Sequence, residues 1–221
     1  MTWPTFYRAA YAIAGIEPPT SPTVPTGPAS ALHPEKQPRV FFELPLRWHY
    51  YKTAARGRVI PIEFAGDNEL VVKWINGTAT CKNTRHLINL ESTLTDLYRL
   101  WATGRYAPRT PSATWFRHVY REGNIEADKL AKLALCLDET RTWQNPHLMR
   151  RAHRMRGFFD GAKTETRCGY GFFIQFQGPP NWEWLNVHIE SAPLPSDTTT
   201  VGAELSGAMH MTAAMRKLAR C

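Results

Sequence analysis

FFDGAKTETRCGYGFFIQF, residues 158–176, is the stretch on which the fold turns. Two apolar runs flank a polar turn. The pattern predicts antiparallel strands at about Arg156–Ala162 and Cys168–Gln177, with a third at about Trp182–Ser191, joined by Gly- and Pro-containing turns. TTTVGAELSGAMHMTAAM (198–215) then predicts a helix over Thr199–Arg220 with Leu205, Met209, Ala213 and Leu218 inward. Upstream, VIPIEFAGDNELVVKWING (59–77) reads as a short strand, Val59 to Phe64, and a helix started at Asp67-Asn68, with Leu70, Val71, Trp74 and Ile75 at helical spacing. Pro61 is awkward for a central strand, because it cannot donate to a ladder. A second helix runs from about Thr84 to Thr103, with Leu87, Leu90, Leu94, Leu97 and Trp101 on one stripe and Gly104 as its stop. FRHVYREGNIEADKLAKLAL (116–135) continues a strand over Ala113–Tyr120 into a helix opened by Asn124, with Ile125, Leu130, Leu133, Ala134 and Leu137 as apolar positions. Adjacent strands combined with βα units imply an α/β fold, a mixed sheet flanked by helices.

The chain has 221 residues, enough for one medium domain and a tail. With 27 Lys+Arg against 19 Asp+Glu the net charge is +8, a field that favours polyanions without choosing among them. Cys81, Cys136, Cys168 and Cys221 form no CxxC pair, which argues against a zinc ribbon. Cys136 in an apolar helical run and Cys168 in a strand read as buried thiols in a reducing intracellular compartment. No apolar stretch approaches the roughly 18–20 residues of a membrane span. Seven prolines between Pro18 and Pro38 mark a linker or tail, and residues 39–57 are aromatic and basic. The expected organisation is therefore a tail over 1–57 and one domain over 58–221. Residues 138–156, polar and broken by Pro146, read as a connector between 58–137 and 157–221.

Four acids carry the chemistry: Asp67, Asp128, Asp160 and Glu204. Each has an ordinary reading as well. Asp160-Gly161 makes a turn, Asp67 caps a helix, Glu204 is a solvated helix glutamate, and the Asn124–Ala131 stretch is a capped amphipathic helix. Taken together, four converging carboxylates suit two Mg²⁺ ions, since magnesium takes hard oxygen ligands.

FFDGA, GAELSGA, FAGDNELVVKWING and REGNIEADKLAKLA together resemble the type-1 ribonuclease H domain, most closely its plant and retroelement branch. That family begins with an Asp-Gly strand and two antiparallel strands, then enters a helix containing Ala-Glu-Leu. A strand ending in Asp, further helices, a last strand and a helix headed by Asn-x-x-Ala-Asp-x-Leu-Ala follow. The resemblance covers roughly 58–220, with the two halves in reverse order. It implies a circularly permuted ribonuclease H-like domain, a mixed five-stranded sheet flanked by helices. A slice through tandem or polyprotein copies of a retroelement is the competing account of the order.

The resemblance further implies an endonuclease that hydrolyses the RNA strand of RNA/DNA hybrids with two Mg²⁺ ions, Mn²⁺ being a substitute, in a monomer with no membrane partner. Asp160 would bridge both metals, Glu204 and Asp67 would complete one site, and Asp128 would hold the other. His118 is a candidate for the catalytic loop histidine, and Gly161, Thr200, Asn68, Arg121 and Asn124 are candidate nucleic-acid contacts. Three departures bear on activity. The loop before the Asp128 helix is the short YREG (120–123). Glu69 stands where the family often has an amide. Thr199, Thr200 and Val201 replace an Asn before the catalytic Glu. A binding module of weak or no activity is the alternative these departures leave open.

Overall fold

A computed structural model describes residues 59–108 and 114–220. The expectations for 1–58, for Ala113 at the start of one strand, and for Cys221 fall outside those residues. In chain order the elements are β1 (Ile60–Gly66), α1 (Glu69–Ile75), α2 (Thr84–Ala102), β2 (Tyr106–Pro108), β3 (Phe116–His118), α3 (Ile125–Ala134), β4 (Arg141–Gln144), β5 (Arg154–Lys163), β6 (Cys168–Gln177), β7 (Trp184–Leu194) and α4 (Thr200–Leu218). Single 3₁₀ turns cover Arg121–Gly123 and Pro146–Arg151.

The architecture is mixed α/β: an open seven-stranded mixed sheet flanked by helices. Its order is β2-β1-β5-β6-β7-β4, with β3 also pairing β1. The pairs β1–β2, β1–β3 and β1–β5 are parallel, whereas β5–β6, β6–β7 and β7–β4 are antiparallel. The antiparallel meander legible in 156–191 is thus present. Five strands were expected, and the two additional ones are short edge pieces. β2 lies beside the start of β1. β4 lies inside the stretch read as a connector, where Thr142 and Trp143 favour extended backbone but all four residues are exposed, so no alternation reveals the strand.

Pro61 sits inside β1 after all. The Ile60 and Phe64 N–H groups point to the β2/β3 side, bonding Arg105 O and Trp115 O. Position 61 therefore faces β5, whose pairing with β1 begins only at Ile62. The missing donor falls before that ladder starts, and no bond is lost.

Two helices of unequal character cover the sheet. On one face α4 packs on β5 and β6, with Leu205, Ala208, Met211, Met215 and Leu218 buried, while Met209 and Ala213 are only half-buried. Helix α2 lies against α4, tied by Asn89 Nδ2 to Ser206 Oγ (3.1 Å) and by the Arg216–Asp96 ion pair (2.7 Å). On the other face α3 buries Ala127, Ala131 and Ala134; of the expected apolar positions Ala134 is buried and Leu130 half-buried, but Ile125 and Leu133 are exposed. Glycines explain the difference. A Cβ at Gly171 would lie 2.3 Å from the Ala131 nitrogen, and one at Gly169 would lie 2.6 Å from Ala134 Cβ. The helix rides so close to β6 that only small side chains fit between them. Helix α3 also ends at Ala134, which leaves Cys136 exposed and corrects the expectation of a buried thiol; Cys81 and Cys168 are buried. Gly104, at φ +68°, ends the run after α2 in the left-handed conformation its position requires.

Candidate active site

Three acids from three elements meet at one end of the sheet. Asp67 follows the last residue of β1, Asp160 lies in β5, and Glu204 is in the second turn of α4. Their ligand atoms lie within 4.8 Å of one another. The geometry has local causes. Asn68 caps α1, its side chain accepting from Val71 N at 3.2 Å, and this stops β1 at Asp67. Thr199 caps α4 by accepting from Gly202 N at 3.0 Å, which sets the phase of the helix that carries Glu204. Gly161 permits the contact between the two elements: a Cβ there would lie 2.3 Å from the Glu204 nitrogen. The Asp-Gly pair therefore serves helix approach, and the Gly161 N–H also donates to Asp160 Oδ1 at 2.8 Å.

The electrostatics of the cluster are those of acids short of partners. Burial, the charge of Asp67 and, more weakly, that of Asp128 push the Asp160 carboxyl above the ordinary range. Burial and the charges of Asp160 and Asp67 push Glu204 far higher. The Glu204 carboxyl lies close to that of Asp160, and Glu204 Oε2 is buried with no hydrogen-bond partner. Hard oxygen donors, an orphaned buried carboxylate oxygen and mutual repulsion fit a divalent cation such as Mg²⁺, and the triad could hold one metal ion.

Asp128, the fourth expected ligand, is not in that triad. Its carboxylate accepts from Lys132 Nζ at 2.7 Å and from Arg121 at 3.4 Å. Burial opposes its ionisation, but these partners outweigh it and its pKa falls below the usual value. Arg121 leans toward the cluster and feels the charges of Asp67 and Asp160 as well. The Asp128–Lys132 pair has the i,i+4 spacing of neighbours on one helix face.

The remaining candidates divide. His118 is half-buried, with Nε2 3.1 Å from the Asp67 carbonyl oxygen, and it stands beside the cluster at the end of β3. Thr200 is exposed in the first turn of α4. Asn124 corrects its expected role as a nucleic-acid contact: it is 1% exposed. It does not cap α3 with its side chain; Nδ2 donates to the Phe159 carbonyl at 2.9 Å, pinning α3 to β5 next to Asp160. Glu69 faces solvent and pairs with Lys73 at 2.9 Å, so it does not point into the cluster.

A half-buried carboxylate lies on the α4 face of β7. Glu190 accepts from Tyr170 Oη (2.8 Å), has His188 Nε2 at 3.3 Å and Thr142 Oγ1 at 3.3 Å, and lies 3.9 Å from His210 Nδ1. Burial works against its ionisation, but the bonds from His188 and Tyr170 prevail and its pKa falls below the ordinary value. Nothing in the spacing of these residues marked them.

No protein-family model matches the chain, and no curated protein matches it. Among the described residues, no helix is long and apolar enough to cross a membrane.

Proposed function

We propose that the chain is a permuted ribonuclease H-type nuclease that cleaves the RNA strand of RNA/DNA hybrids with divalent metal. The observation that carries this reading is the meeting of Asp67 with Asp160 and Glu204, acids from the two sequence halves. The sheet supports it too. Taken from β5 through β6, β7 and α4 and then on to β1, α1, α2, the short β2, β3 and α3, the element order is compatible with the family order named above, apart from the extra β2. The 138–156 stretch, with β4 paired to β7, then links the end of one half to the start of the other.

Asp160, Glu204 and Asp67 would hold the metal, and Asp128, held by Arg121 and Lys132, would contribute from the margin. Bound there, Mg²⁺ supplies Lewis acidity toward the scissile phosphate and its leaving oxygen. The protein orients. Gly161 N–H fixes one Asp160 oxygen, Asn124 fixes the backbone that carries Asp160, and Arg121 offers a cation to the phosphate. His118, held at the Asp67 carbonyl, is placed to relay a proton near the departing group. RNA would be told from DNA by contacts to 2′-hydroxyls.

The test is cleavage of an end-labelled RNA/DNA hybrid by the purified chain in Mg²⁺, beside Asp67→Asn and Asp160→Asn. Activity abolished in both variants supports one site built from both halves. A cooperatively folded chain that binds hybrid without cutting it overturns the enzymatic reading.

A further inference from the structure

The face of the sheet that carries α3 is only partly covered. Strand alternation puts Arg154, Arg156, Phe158 and Asp160 on this face of β5, because Asp160 pairs with Gly171, which lies under α3. Helix α3 covers the Asp160 end. Beyond it lies a groove of about 310 Å³, lined by β1, β5, Arg117 of β3, Gln177 of β6 and Trp184 of β7.

Its side chains form a layered column. The Arg156 guanidinium lies 4.2 Å from the Trp184 ring centroid and 5.3 Å from that of Phe158. Phe158 in turn stacks on Phe173 at 5.0 Å and 16°. Arg156 Nε donates to Gln175 Oε1 at 2.8 Å, which fixes the guanidinium plane. Trp182, half exposed, lies at the far end, its carbonyl accepting from Gln177 Nε2 at 2.7 Å.

The charge is one-sided. Three arginines (117, 154 and 156) and one acid (Glu63) line the groove, a net of +2, and Glu63 is paired with Arg117. Arg154 is exposed and has no hydrogen-bond or ion-pair partner among the described residues.

We propose that this groove binds a single-stranded polynucleotide, with bases extending the Trp184–Arg156–Phe158–Phe173 column and phosphates on Arg154. Planar aromatic and guanidinium surfaces next to unneutralised arginine are what unpaired bases and their phosphates both need, and a duplex hides its base faces from such a column. At about 3.3 Å per residue along β5, the groove begins within roughly 7–13 Å of Asp160. An unpaired tail leaving the acid cluster reaches it within a few nucleotides. The groove shares none of its lining residues with the acid cluster, and binding here stands whether or not the chain is a nuclease.

The experiment is fluorescence anisotropy of the full chain in EDTA, which silences the metal site, with labelled 15-nucleotide dT and U oligomers (a length within the roughly 4–16 nucleotides of such platforms). An abasic 15-mer and a blunt hybrid are the comparators. The expected result is that dT or U binds roughly tenfold or more tightly than the abasic strand, the loss expected when base stacking is removed. Arg154→Ala, at an exposed position, should lower the salt slope by about one charge. Trp184→Ala should weaken dT and U while leaving abasic binding unchanged. The relative affinities of dT and U then separate DNA from RNA as the strand. Equal binding of abasic and base-bearing strands, or affinities unmoved by both substitutions in variants whose melting is unchanged, would overturn the proposal.

Discussion

Two carboxylate clusters on this sheet, one buried and one half-buried, have their pKa values shifted in opposite directions. Glu190 is bonded by partners from β4, β6 and β7, with His210 of α4 nearby, and its pKa is depressed despite partial burial. Asp160 and Glu204 are buried with each other and with Asp67, and their pKa values are raised. Burial opposes ionisation in both, so the difference lies in what surrounds the charge. Where the protein supplies the donors, a buried acid is part of the framework. Where it supplies more acids, their charges oppose one another, and the Glu204 Oε2 atom is buried without a hydrogen-bond partner.

The hardest blow to that contrast comes from Asp160→Asn. Hybrid cleavage in Mg²⁺ should fall by at least about 10²–10³-fold, the scale of losing one preorganised electrostatic contact. The metal-free variant should melt higher than the parent, because a repulsive charge is gone. An unchanged rate, or a lower melting temperature in EDTA, would erase the distinction between the clusters.

Gly161→Ala should act on the fold and the cluster together. Its Cβ would meet the backbone of Glu204 and Ala203, so α4 must shift. A loss of about 1–3 kcal/mol in urea unfolding, together with weaker Mg²⁺ binding in calorimetry, is expected. Retention of both would mean that the approach of α4 to β5 does not govern the site.

Glu190→Gln should cost about 1–3 kcal/mol, since His188 and Tyr170 lose a charged acceptor. Cleavage per folded molecule should stay the same. A variant as stable as the parent would show that Glu190 is not a framework acid.

The smallest effect is in pH. Raised folded-state pKa values mean that Asp160 and Glu204 favour folding at low pH and that this contribution is lost as the pH climbs through those values. Glu190, with a lowered value, contributes above the ordinary carboxylate range and loses its contribution as the pH falls through its folded pKa. In EDTA, melting temperature should therefore decline from about pH 5 to about pH 8, and saturating Mg²⁺ should remove most of that decline. Parallel curves with and without Mg²⁺ would place the metal elsewhere.

Much of this was legible in the chain. The strand–turn–strand pattern of 158–176 and the Asn68 and Thr199 positions set the elements and their starts, because apolar period and capping are local properties. Asp67, Asp160 and Glu204 could be singled out because each stands in an apolar context next to a turn or a helix start. Other features depended on neighbours far along the chain. Asn124 looks like a cap and becomes a buried clamp, because the Phe159 carbonyl is brought beneath it. Leu133 of α3 looks inward and is turned out, because Gly169 and Gly171 on another element bring small residues of the helix against the sheet. Asp128 separates from the triad because Lys132 and Arg121 hold it. The Glu190 cluster, drawn from four elements, has no sequence signal. Residue type and period determined which segments form and which acids are available. Only the packing of one segment on another decided which acids are satisfied by the protein and which are left for a cation, since desolvation and donor geometry exist only once the chain has closed.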